Sequence, residues 1–99
     1  MKDMSYGFDD YIGDAAPDKS LRYQSWKLAI GLQKMEGLTV SPYLIETARE
    51  HIEGKIDFTT AKQRIDSYHK AHGGGTDTIE ADMLSLRMVE ILCERGILT

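Results

Sequence analysis

The run W-K-L-A-I-G-L-Q-K-M-E-G-L-T-V-S-P, from Trp26 to Pro42, decides the fold. It reads as the closing turns of one helix, a glycine stop, a short extended link and the start of a second helix. Glycine at position 37 takes the left-handed conformation that follows a last helical turn without steric cost. Ser41 supplies a cap for the next helix, and Pro42 sits in a first turn where its missing N–H is no loss. Only Glu36 breaks a local rule. A helix C-terminus carries partial negative charge, so a carboxylate there is disfavoured by roughly 0.3–1 kcal/mol. Such a breach points to a task at that site, weighed against the small cost of an exposed glutamate.

Toward the N-terminus, the first helix begins near Asp18 or Ser20, either of which can cap it. Leu21, Leu28, Leu32 and Met35 recur at helical spacing and form one stripe, interrupted by Ser25. Tyr23, Trp26 and Ile30 fall on nearly the opposite side. A surface helix normally has one apolar face, so a helix apolar on two sides is expected to lie between its own domain and another protein. Residues 1–17 carry Asp3, Asp9, Asp10 and Asp14 against Lys2, with Gly7 and Gly13 interspersed. They are expected to form a flexible acidic tail.

Toward the C-terminus, Ile45, Ala48 and Ile52, flanked by Leu44, give the second helix a buried face, and Gly54 stops it. Ile56 and Phe58 fall in the connection. A third helix is expected from about Thr59 to His72, packing Ala61, Ile65 and Tyr68 inward. Gly73-Gly74-Gly75 opens a linker over 73–77. Asp77 and Glu80 mark a capped start for a fourth helix within 78–99, apolar on more than one side and ended by Gly96. No segment alternates as a strand. The expected class is all-α, a small bundle of three to four helices with a flexible acidic N-terminal tail.

Composition narrows the function. The chain has 99 residues, enough for one small domain, and a net charge of −4, which argues against a nucleic-acid coat. No apolar run approaches the roughly 18 residues of a membrane span, and the Asp-rich N-terminus does not read as a signal peptide. Cys93 is the single cysteine, so no intrachain disulfide forms and a reducing cytoplasm is the expected compartment. Inside an apolar helix, Cys93 is expected to be packed rather than reactive.

The motifs for chemistry are thin. Asp66, His69 and His72 share a three-residue spacing, but nothing completes a closed metal set, and solvated helix-end polar residues are the expected reading. Gly73-Gly74-Gly75-Thr76 lacks the lysine of a phosphate-cradling loop. No nucleophile stands beside a base–orienter pair in sequence. The expectation is no enzyme, no cofactor and no metal. Helices two and three, joined by a short turn, have the outline of a helix-turn-helix with Arg49, Lys55, Lys62, Arg64 and Lys70. Those residues alternate with Glu46, Glu50, Glu53 and Asp57, as a mixed solvated face does, so nucleic acid is not the expected partner.

From Lys27 to about Tyr68 the chain resembles the small antitoxins of the VbhA type, which partner Fic-domain toxins. The shared features are L-Q-K-M-E-G-L-T-V-S-P from Leu32, a helix ending at E-G-K-I from Glu53, and a third helix. The resemblance implies an antitoxin-like domain over 18–72 with an inhibitory helix at 18–36. In that family the helix carries a motif S/T-x-x-x-E/A-G/N and lies against the toxin's active-site cleft. Its glutamate pairs with the arginine that otherwise holds the γ-phosphate of ATP, so AMP transfer is blocked. Glu36 matches that glutamate and Gly37 the small residue after it, while Leu32 stands where serine or threonine is usual. The implied partner is a Fic-domain toxin, met by Leu21, Ser25, Leu28, Leu32, Met35 and Glu36. The segment from Asp77 lies outside the pattern; it is similar to the leading helix of many Fic-domain chains, and an added helix that widens the interface is the preferred reading. The rivals are a small DNA-binding regulator and a helical oligomerisation module.

Overall fold

The computed structural model describes residues 17–72 and 76–95. The tail expected over 1–17 therefore lies outside the described residues except for Pro17, and so do Gly73, Gly74, Gly75 and the stop at Gly96. Four helices follow one another: α1 (Pro17–Met35), α2 (Pro42–Ile52), α3 (Phe58–His72) and α4 (Thr76–Val89), the last continuing as a π-helical turn over Glu90–Glu94. Among the described residues there is no strand, and the fold is all-α.

The punctuation of the chain works as its residue types dictate. Gly37 has φ 80°, its N–H donates to the Lys34 carbonyl at 3.0 Å, and the Leu38 N–H reaches the Gln33 carbonyl at 2.9 Å. This paired arrangement closes α1 and makes Glu36 its last half-helical residue. Gly54 repeats it at φ 81°, with Gly54 N–H on His51 and Lys55 N–H on Glu50, so Glu53 caps α2 as Glu36 caps α1. The Ser41 hydroxyl accepts the Leu44 N–H at 3.0 Å at the start of α2. Asp57 does the same for α3 through the Thr60 N–H at 2.8 Å, so that helix begins at Phe58, one residue before the expected Thr59.

One face of each helix makes the core. Trp26, Ala29 and Ile30 of α1 meet Leu44, Ala48 and Ile52 of α2, Phe58 and Ile65 of α3, and Ala81, Leu86 and Val89 of α4. Phe58, read as part of a connection, is a core residue. Tyr68, expected inward, is half-buried and stacks on Tyr43 with centroids 4.6 Å apart.

α4 is an integral layer of this bundle. Ser25 and Ala29 on α1 and Ala81 and Ser85 on α4 are all fully buried, and small side chains let two helices pack closely. The two serines satisfy their hydroxyls locally, donating to the Leu21 and Ala81 carbonyls of their own helices at 2.9 and 2.8 Å. α4 runs antiparallel to α1. Its far end brings the Cys93 thiol against Ser25, and its first half places Asp82 beside Ser41, just past the end of α1.

Candidate functional site

Helix α1 has the two apolar sides its sequence announces, and they have different fates. Trp26 and Ile30 are buried in the protein's own core. On the other side Leu28 is 44 % exposed and Met35 82 %, while Leu21 and Leu32 are half-buried. Glu36 stands exposed at the end of that row, directly after Met35. Its backbone N–H is shared between the Leu32 and Gln33 carbonyls at 3.2 and 3.1 Å, which fixes the backbone from which its side chain projects.

Ser25 requires a correction. The sequence places it on the outward row with Leu21, Leu28 and Leu32; the structure buries it completely against Cys93. It lies at the edge of the arc, and close packing of α4 carries that edge into the core. Ser25 therefore has no surface to offer a partner in this fold. The row that remains is Leu21, Leu28, Leu32, Met35 and Glu36.

The interior holds polar networks that the sequence did not reveal. Asp82, fully buried, accepts the Ser41 N–H at 2.9 Å and the Ser41 hydroxyl at 2.7 Å, and takes His69 Nε2 at 2.6 Å. His69 is thus a buried partner of Asp82, against the expectation of a solvated helix-end residue. Asp82 sits between hydroxyl and imidazole, whereas activating a serine needs the imidazole in the middle. The arrangement ties the N-terminus of α2 to α3 and α4. Its partners are 41 and 13 residues from Asp82 in sequence, so no short-range pattern marks it.

A second network holds α1 to the end of α2. Arg22 donates from Nε and Nη2 to the Ile52 carbonyl at 3.1 and 2.9 Å, satisfying one of the carbonyls left over at the α2 C-terminus. Trp26 Nε1 donates to His51 Nδ1 at 2.9 Å. Because indole is only a donor, His51 is neutral there with its proton on Nε2. Burial is the main force holding the His51 pKa down at about 4, helped by the Arg22 guanidinium and opposed by Asp57. An open cleft of about 440 Å³ adjoins this network, with Arg22, His51, Asp57 and Cys93 in its wall. Cys93 is half-buried in that wall, and burial pushes its thiol pKa up, which lowers the share of reactive thiolate.

The remaining candidates are dispersed. Asp66 pairs with Lys70 at 3.0 Å, His69 faces Asp82, and His72 stacks on Tyr68, so that trio does not converge. Among the described residues no group of three or more His, Cys, Asp or Glu is placed to hold a metal. In the α2–α3 region Arg64 pairs with Glu50 at 2.7 Å, Lys55 with Glu53 at 3.1 Å, and Lys62 lies over the Phe58 ring. Among the described residues no helix is long and apolar enough to cross a membrane.

Fold and surface together define a small all-α protein with an outward apolar helix row that ends in a carboxylate. No protein-family model matches the chain, and comparison with known proteins and with solved structures gives no match either.

Proposed function

We propose that this protein is an antitoxin that binds a Fic-domain AMP-transferase toxin and obstructs its nucleotide site with Glu36. The observation that carries the reading is the outward row of exposed Leu28, half-buried Leu32 and exposed Met35, ending at exposed Glu36. An apolar row turned away from its own core gains from being covered, at roughly 25 cal/mol for each Å² removed from water. A carboxylate at a helix end sits in an unfavourable potential that a partner's guanidinium offsets. Such a charge-assisted pair, partly desolvated, is worth a few kcal/mol in double-mutant cycles. The resemblance over Lys27 to Tyr68 names the partner whose arginine meets this description.

Leu32 at the usual Ser/Thr position gives up a side-chain hydrogen bond and substitutes apolar contact. The ion pairs within α2 and α3 leave the DNA-reading alternative without an observation in its favour. Chemistry is assigned to the toxin alone: the antitoxin acts by occupying a site, in the cytoplasm where ATP and the toxin meet.

Glu36→Gly tests the mechanism. The variant keeps the apolar row but loses the charge pair, so it is expected to bind the toxin roughly ten- to a few-hundredfold more weakly, while AMP transfer to the toxin's target is released even when the antitoxin saturates the toxin. Radiolabelled AMP incorporation at saturating antitoxin is the measurement. Unchanged inhibition in Glu36→Gly would remove the role assigned to this residue.

A further inference from the structure

The cleft beside Arg22 and His51 holds a hydrogen-bond donor that the described residues do not satisfy. His51 is only 3 % exposed, and Trp26 Nε1 occupies its Nδ1. The ring proton therefore sits on Nε2, and that N–H has no acceptor among the described residues. With Nδ1 turned to the fully buried Trp26, the Nε2 edge is what His51 gives to the cleft wall. A donor held this deep gains most from an acceptor, because water competes least there.

Arg22 stands in the same wall. It spends two N–H groups on the Ile52 carbonyl, and the rest of its five-donor fork is left over. Its Nη2 lies 3.5 Å from where a Cβ on Gly54 would be, and its charge acts on both the His51 imidazole and the Cys93 thiol. The sheltered part of the wall thus offers donors and one positive charge, with Leu21, Ile56 and Phe58 as apolar surface. The other charges are exposed. Lys55 pairs with Glu53, Asp57 has one oxygen on the Thr60 N–H, and Asp18 and Glu94 complete the rim. Those three carboxylates weigh against any ligand with two or more negative charges, phosphates included.

We infer that this cleft binds a small monocarboxylic acid with an apolar body. Its carboxylate meets His51 Nε2–H and the Arg22 fork, and its body lies on Leu21, Ile56 and Phe58. The complementarity is chemical: an ionised carboxylate only accepts, whereas Arg22 and this imidazole edge only donate. Hydrogen bonds to a charged acceptor are also the stronger kind. The volume of about 440 Å³ lies within the range of small-molecule sites. The cleft adjoins the first turns of α1, at the opposite end from Glu36, so the inference does not depend on the antitoxin reading.

The test titrates 3-phenylpropanoate into the nitrogen-15-labelled full chain near neutral pH. Trp26 carries the single indole N–H, and its bond to His51 makes that resonance the reporter. A saturable shift with a dissociation constant of about a millimolar is expected for so small a ligand. The amide 3-phenylpropanamide, with the same body and no charge, should bind at least about tenfold more weakly. Alkylation of Cys93 should slow as the acid saturates, since the thiol lines the same wall. Ile56→Asp sets a carboxylate in the wall at a half-buried position outside the core cluster, and unchanged circular dichroism checks its folding. It should weaken the acid by about tenfold or more. The inference is overturned by the absence of a saturable shift up to about 50 mM, well above the affinity expected for such a ligand. Equal binding of acid and amide, an equal shift with inorganic phosphate, or undiminished acid binding by folded Ile56→Asp overturns it too.

Discussion

His51 and Trp26 make one contact with consequences that a pH titration reads directly. Unfolded, the imidazole has its ordinary pKa of 6.5; folded, burial and the Arg22 guanidinium hold it at about 4. Between those values the unfolded chain takes up a proton that the folded chain refuses. Stability from this residue is therefore full above pH 6.5 and falls as the pH drops through the window, by roughly 3 kcal/mol at pH 4. Urea unfolding followed by fluorescence of Trp26, the single tryptophan, is the measurement. In His51→Gln, whose side-chain carbonyl still accepts from Trp26 Nε1, the slope between pH 6.5 and 4 is expected to flatten; an unaltered slope assigns it to other groups. Asp82 offers the stronger single substitution. Asp82→Ala strands the Ser41 N–H and the His69 Nε2 in a fully buried site, and the loss is expected to reach about 3–5 kcal/mol in the same unfolding assay. A loss under about 1 kcal/mol would mean that water replaces the carboxylate.

At the scale of the element, the sequence is most legible where one residue type has one local use. Gly37, Gly54 and the Ser41-Pro42 pair each perform the turn or cap their chemistry prescribes, because those rules act within five residues. The same comparison sharpens Glu36. Glu53-Gly54 ends α2 with the same dipeptide and the same pair of hydrogen bonds as Glu36-Gly37 at the end of α1. The dipeptide alone is thus a helix stop, and what distinguishes Glu36 is the exposed Leu28–Met35 row leading up to it. Ser25 lies inside rather than outside because wheel position marks an arc but not where a neighbouring helix comes to rest. Glycines separate the same two effects experimentally. Gly31 lies within α1 with nothing inside 4 Å of an added Cβ, so Gly31→Ala should raise stability by about 0.5–1 kcal/mol. Gly37→Ala, at φ 80° with equally open surroundings, should lower it by about 1 kcal/mol. Thermal melts of the two variants moving in the same direction would contradict this assignment.

At the scale of the whole molecule, the balance between α4 and the rest was hidden from the sequence. A triple glycine before Thr76 and the end of the resemblance at Tyr68 both suggested an appendage. Its integration depends on contacts distant in sequence: Asp82 with Ser41, and Cys93 with Ser25. Without α4, Ser25 loses Cys93 and the small-residue face of α1 at Ser25 and Ala29 meets water, and Ala81, Leu86, Val89 and Leu92 leave the core. A chain of this size has little burial in reserve, since small domains hide a smaller share of their surface on folding. The α2 N-terminus also loses the carboxylate that satisfies the Ser41 N–H. A chain ending at His72 is therefore expected to keep helical far-ultraviolet dichroism while losing a cooperative thermal transition and the fixed near-ultraviolet signal of Trp26. A truncated chain that melts sharply within a few degrees of the parent would show that three helices suffice. α4 would then be an added surface rather than a wall of the core, and the buried Asp82 network would have to be dispensable.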